Sequence, residues 1–127
     1  MKEFLEEDWE SVMEETPDPQ QGPVICSFMQ DMTDDGPFPY QEVNDMPKLR
    51  AVLDEKLEDY NAEPKLLSMN LVLFDDACRH ICRIVRVLKL SRGNMMLVGV
   101  GGSGRQSLAR LSSFICEYNV FTIKITN

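Results

Sequence analysis

The stretch from Met95 to Ile125 constrains the fold of this chain more than any other. Met95, Met96, Leu97 and Val98 are an uninterrupted apolar run of the kind found in strands buried on both faces. Gly99, Val100, Gly101, Gly102, Ser103, Gly104, Arg105, Gln106 and Ser107 follow directly. Helical spacing then runs from Gln106 to Tyr118 through Leu108, Leu111, Phe114 and Ile115, and Val120, Phe121, Ile123 and Ile125 make a second, β-favouring run. Strand, glycine loop, helix, strand is the order of a βαβ unit, so the expected fold class is α/β with parallel strands.

The nine residues from Gly99 to Ser107 resemble a Walker A loop. Gly99 and Gly104 stand at the spacing of its G-x-x-x-x-G frame. Glycines let the backbone turn sharply and bring several N–H groups round to a polyphosphate without side chains in the way. The helix that starts beside Gly104 adds the N–H donors of its first turn and the positive end of its dipole. Two positions depart from the pattern: Arg105 replaces the usual lysine, and Gln106 replaces the usual Ser or Thr, with Ser107 one residue later. Arginine keeps the charge and forks across two phosphate oxygens, but it is bulkier than an ammonium, which favours binding over turnover. Gln106 offers a magnesium ion only a neutral amide. Ser107 supplies a hydroxyl but lies about 100° further round the helix, which makes it a weak candidate for Mg2+ held through the nucleotide.

Upstream, the chain reads as helices joined by proline-rich connections. Residues 2 to 15 place Phe4, Leu5, Trp9, Val12 and Met13 near one face of a helix and glutamates around the other. Pro17, Pro19, Gly22 and Pro23 end it, and a boundary is expected near residue 20. Val24 to Met29 suits a short strand, and Asp31 to Tyr40 an acidic loop without the alternating oxygen ligands of a calcium site. A helix over about 46–61 is expected from Asp45 as cap, Pro47 in the first turn, and Leu49, Val52, Leu53, Leu57 and Tyr60. After a connection at Pro64, another helix is expected over 72–90, with Ala77, Ile81, Ile84, Val85 and Leu88 inward and Arg79, Arg83 and Arg86 between them. Ser91 to Asn94 reads as a turn. These breaks divide the chain into 1–23, 24–70 and 71–127.

Charge is unevenly spread. Through Ala62 there are 4 basic and 17 acidic side chains, and beyond it 9 basic and 4 acidic, for a net charge of −8. That is the wrong sign for a protein holding nucleic acid mainly by phosphate neutralisation, so no nucleic-acid partner is expected. With 127 residues, 43% of them apolar, the chain has material for one modest core and not for a complete multidomain enzyme. No apolar stretch approaches the roughly 20 residues of a membrane helix, and the acidic start Met1 to Asp8 is unlike a signal peptide, so a soluble, intracellular chain with no membrane partner is expected. Cys26, Cys78, Cys82 and Cys116 form no Cys-x-x-Cys pair and read as buried thiols in a reducing compartment. His80 would project about 200° around a helix from Cys78 or Cys82, which disfavours a metal there.

At family level the residues say more. Met69 to Phe74 with Asp75, Asp76 and Ala77, then Arg92, Gly93 and Asn94, then Leu97 to Ser107, then Leu108 to Leu111, closely resemble the fourth AAA+ module of axonemal dynein heavy chains. Phe38, Tyr40, Leu49, Leu53, Leu57, Tyr60 and Asn61 resemble the segment leading into that module, and residues 1–23 the end of the preceding one. Gln and Ser after the basic residue are a recurrent form of this module's loop. The resemblance implies a partial P-loop NTPase (AAA+) fold within a ring-shaped, minus-end-directed microtubule motor that drives ciliary and flagellar movement. It implies ATP or ADP with Mg2+ in the complete module, in a structural or regulatory role, since principal hydrolysis belongs to the first module. Implied partners are the remaining AAA+ modules, dynein intermediate and light chains and microtubules, the parent chain carrying a coiled-coil stalk. Implied location is cytoplasm and cytoskeleton, in the axoneme of a cilium or flagellum.

The chain reaches Asn127 before any acidic strand end, sensor or arginine finger, so the expectation is a fragment or truncated product that binds nucleotide without hydrolysing it alone. A rival expectation is a noncatalytic interaction module, docking a partner through its acidic half and leaving the glycine loop empty. A standalone P-loop kinase would need a lid, an acceptor site and a second acidic motif, none of which the sequence contains.

Overall fold

A computed structural model describes residues 23–29, 40–99 and 104–125. The order is β1 (Val24–Cys26), β2 (Gln41–Val43), α1 (Met46–Ala62), α2 (Asp75–Lys89) and α3 (Arg105–Ile115). The helix expected over 2–15, the break near residue 20 and the acidic loop through Pro39 lie outside the described residues.

β1 and β2 pair antiparallel in the register Val24 to Val43, Ile25 to Glu42 and Cys26 to Gln41. Side chains alternate along a strand, so Val24 and Cys26 turn inward onto α2 while Ile25 stays half-exposed. The expected strand over Val24–Met29 thus stops at Cys26. β2, with the sequence Gln-Glu-Val, carries no apolar run to announce it.

α1 starts as the sequence predicts. The Asp45 carboxylate accepts the Lys48 N–H at 3.1 Å, and Pro47 sits where a missing N–H costs nothing. Leu49, Leu53 and Tyr60 are buried at helical spacing, each such leucine contributing about 2 kcal/mol through removal from water.

α2 is the central element, packed against β1, α1 and α3. Ala77, Cys78, Ile81, Cys82, Ile84 and Val85 are buried, the apolar face expected, widened by two thiols. Asp75 and Asp76 occupy its first turn and Arg86 and Lys89 its last, each sign matching the dipole end it meets. The helix begins at Asp75, three residues later than expected. Leu71 to Phe74 is instead an extended strap that buries Leu73 and exposes Val72 and Phe74, an alternation that a helix would not produce.

The turn after α2 places Arg92 at φ 58, and the Asn94 side chain donates to the Arg92 carbonyl at 2.8 Å. Gly93 N–H donates to the Leu90 carbonyl at 3.0 Å. A Cβ on Gly93 would collide with the Val87 carbonyl oxygen, so the closeness of two backbones requires glycine here.

α3 ends at Ile115, short of the expected Tyr118, in a left-handed termination. Glu117 takes φ 59, its N–H donates to the Phe114 carbonyl at 2.9 Å, and the Tyr118 N–H donates to the Ser113 carbonyl at 2.8 Å. Phe114 meets Tyr60 edge to face, centroids 5.4 Å apart and planes at 86°, which joins α3 to α1. Leu111 and Ser112 are buried against the neighbouring helices, and the Ser112 hydroxyl has no hydrogen-bond partner.

Among the described residues the expected parallel βαβ unit is not seen. Met95–Val98 and Val120–Ile125 flank α3 as anticipated, yet neither segment joins a ladder, and the sheet present among the described residues is the antiparallel β1–β2 pair. Met96 is 86% exposed and Ile125 92%. An unbroken apolar run states that a segment is suited to burial on both faces, but it cannot supply the hydrogen-bonding neighbours that make it a strand. Among the described residues, no helix is long and apolar enough to cross a membrane.

Candidate functional site

The glycine loop leads into α3. Gly99 is exposed at the end of the extended segment that carries Leu97, whereas Val100, Gly101, Gly102 and Ser103 lie outside the described residues. Gly104 is the N-cap of α3 at φ 76, ψ 12, the left-handed region, and its carbonyl accepts the first intrahelical bond, from Leu108 N–H at 3.0 Å. A Cβ there would meet nothing within 4 Å, so torsion rather than space calls for glycine.

The N–H groups of Arg105, Gln106 and Ser107 precede Leu108 N–H, the first intrahelical donor, and a glycine cap has no side chain to receive them. Most helices close this end with Ser, Thr, Asp or Asn. α3 instead presents a glycine cap, a positive dipole end and a guanidinium within one turn, features that suit a polyphosphate.

Arg105 is half-buried, and its Nη1 donates to the Leu97 carbonyl at 3.5 Å. The guanidinium therefore spans from the helix back to the segment ahead of the loop, drawing the two flanks of the glycine cluster together. Gln106 is exposed and Ser107 half-buried, as their separation by one helical step requires. Of Arg105, Gln106 and Ser107, Ser107 is the one that carries a hydroxyl. Among the described residues, no group of three or more His, Cys, Asp or Glu is placed to hold a metal directly.

Of the residues singled out from sequence, the structure brings Gly104, Arg105, Gln106 and Ser107 into one helical turn and links Arg105 to the segment ending at Gly99. Two positioning contacts escaped sequence reading. One is the bond from Arg105 to Leu97, a main-chain acceptor that no residue type reveals. The other is a paired hydrogen bond from the Asn61 amide to Met69, which anchors the start of the strap before α2. The sole hint of the latter was an asparagine near a helix end with Pro64 close behind.

A hollow with a volume of about 790 Å³ lies elsewhere. It is bounded by Tyr60 and Lys56 of α1, Leu66 and Leu67 of the following connection, and Arg110 and Phe114 on the far half of α3. It does not include the glycine cap.

Residues 69–127 match the family described as P-loop containing dynein motor region D4. That match places residues 69–127 in a dynein motor region, which implies the AAA+ P-loop NTPase fold. Dynein axonemal heavy chain 2 of Homo sapiens is 47% identical over 104 residues, 82% of this chain and 2% of that one. The dynein-1-beta heavy chain of the flagellar inner arm I1 complex of Chlamydomonas reinhardtii is 52% identical over 105 residues, again 82% and 2%. The ciliary dynein beta chain of Tripneustes gratilla is 44% identical over 124 residues, 98% of this chain and 3% of that one. The chain belongs to the axonemal dynein heavy-chain family. It spans 2% to 3% of the length of these relatives.

Proposed function

We propose that Gly99 to Ser107 hold the phosphates of ATP or ADP, and that the chain is the nucleotide-binding start of the fourth AAA+ module in an axonemal dynein heavy chain. The observation that carries this reading is the start of α3: an N-cap glycine at φ 76 with no side chain to receive the first-turn N–H groups, followed at once by Arg105. Those amides and the guanidinium would share the charge of the phosphate tail, and the Ser107 hydroxyl would face Mg2+ through the nucleotide. Magnesium would neutralise phosphate charge and fix its geometry. Arg105 would then exchange the Leu97 carbonyl, a neutral acceptor, for phosphate oxygens, a stronger charge-assisted partner.

The role proposed for the site is structural or regulatory. The parent chain would be a minus-end-directed microtubule motor of ciliary and flagellar axonemes, with its other AAA+ modules, intermediate and light chains and microtubules as partners. The relatives' ciliary, flagellar and axonemal names support that placement.

The test is competition of a fluorescent ATP analogue by ATP, with and without Mg2+, for the chain and its Arg105→Ala variant. Removing one charge-assisted partner should weaken affinity about tenfold or more. Equal binding by both forms would refute a phosphate cradle at this loop.

A further inference from the structure

The segment after α3 has two unlike sides. Val120 and Thr122 line the hollow bounded by Tyr60 and Phe114, while the alternate residues Phe121, Ile123 and Ile125 are 88%, 80% and 92% exposed. That is the period of two of an extended chain, one side turned to the helices and the other bare. Apolar residues scattered singly over a surface need no explanation, but three large ones in one row do. The glycine loop has no part in this row.

We propose that Phe121, Ile123 and Ile125 form a self-association face, which a second copy of this chain covers across a two-fold axis. The row is self-complementary. With the axis through Ile123, each Phe121 meets Ile125 of the other copy and the two Ile123 side chains meet each other, so an aromatic ring packs on a branched aliphatic side chain twice over. A two-fold contact of this kind occupies the same patch on both copies and therefore stops at two.

Charge permits the approach. A net charge of −8 holds copies apart in general, yet residues 118–125 contain no Asp or Glu. The cation in that stretch, Lys124, falls on the opposite side from the row by the same alternation. The area suffices as well. Residues of this size at these exposures present roughly 500 Å² on each copy, so two copies meeting face to face remove about 1,000 Å² from water, the lower bound for a specific interface. An interface of that size makes a weak dimer whose population depends on concentration.

The experiment follows the mass of the full 127-residue chain by size exclusion with light scattering as concentration rises from low to high micromolar. The expected result is a shift from monomer to dimer that goes no further. Hydroxyl-radical footprinting of the unmodified chain should show Phe121, Ile123 and Ile125 losing reactivity in step with the dimer. Ile123→Lys sets two ammonium groups against each other at the axis and should raise the dissociation constant about tenfold or more, whereas Ile123→Val, still apolar and branched, should keep the dimer. The proposal is overturned if the chain stays monomeric throughout, grows past two copies, dimerises equally well as Ile123→Lys, or gains protection at other residues and not at these three. A monomer whose row is protected only by an added apolar peptide would assign the face to a foreign segment and overturn it too. The footprint needs no variant, so misfolding of one leaves the test standing.

Discussion

Asn61 grips Met69 with both ends of its amide: Nδ2 donates to the Met69 carbonyl at 3.0 Å, and Oδ1 accepts the Met69 N–H at 2.8 Å. The pair mimics a strand-to-strand exchange between the last turn of α1 and the strap that leads to α2. Both bonds are exposed to solvent, which limits what each is worth. Asn61→Ala should lower stability by about 1 kcal/mol, read as a lower urea midpoint. Asn61→Asp should not rescue it, since a carboxylate keeps the acceptor and sets a negative charge against the Met69 carbonyl.

Gly93 and Gly104 are required for different reasons, and alanine should separate them. At Gly93 the new Cβ would collide with the Val87 carbonyl oxygen, so the turn must move. Gly93→Ala should cost about 2 kcal/mol. At Gly104 the Cβ meets nothing within 4 Å, and the penalty is the φ of 76 alone. Gly104→Ala should cost about 1 kcal/mol, a gap between the two variants that urea unfolding resolves.

Glu117 closes α3 at φ 59 with a side chain where glycine is favoured. Glu117→Gly should raise stability by about 0.5 kcal/mol, relief of strain exceeding the added freedom of the unfolded chain. A lowered thermal midpoint would contradict the assigned termination.

Ser112 is fully buried with an unpartnered hydroxyl on the core side of α3. Ser112→Ala removes a desolvated polar atom and improves helix propensity, and should raise stability by about 1 kcal/mol. The same change at Ser113, whose hydroxyl donates to the Ala109 carbonyl at 2.8 Å, should give a smaller gain or none.

The thiols predict a maximum in stability against pH. Cys26 titrates near 7 in the folded chain and near 8.5 when unfolded, so between those values the unfolded chain binds more protons and stability rises with pH. Cys78, Cys82 and Cys116 are raised, mainly by burial for Cys78 and Cys116 and by the bond to Cys26 for Cys82. Above about 8.5 the unfolded chain loses protons that these folded thiols retain, so stability then falls. Urea midpoints from pH 6 to 10 should trace a rise of up to about 2 kcal/mol and a decline, with Cys26→Ser removing the rise.

Much of the helical layer could be read from the residues. Asp45 and Pro47 mark the start of α1 because capping is local, and the α2 face is legible because burial repeats with the helical turn. Gly104 and Arg105 announce the loop-to-helix junction for the same reason: one residue sets a torsion and the other a charge. The failures concern pairing across distance. Met95–Val98 and Val120–Ile125 have strand composition without ladder partners, while Gln41–Val43 has a partner without strand composition. Contacts to backbone atoms, such as Arg105 to Leu97, leave no trace in residue identity.

The bare runs on either side of α3 set an order of assembly. The three helices already pack on one another, whereas Met96, Val98, Phe121, Ile123 and Ile125 stay wetted until strands are laid against them. During that interval they are adhesive edges, open to any extended peptide, and a newly made chain would depend on a chaperone to shield them.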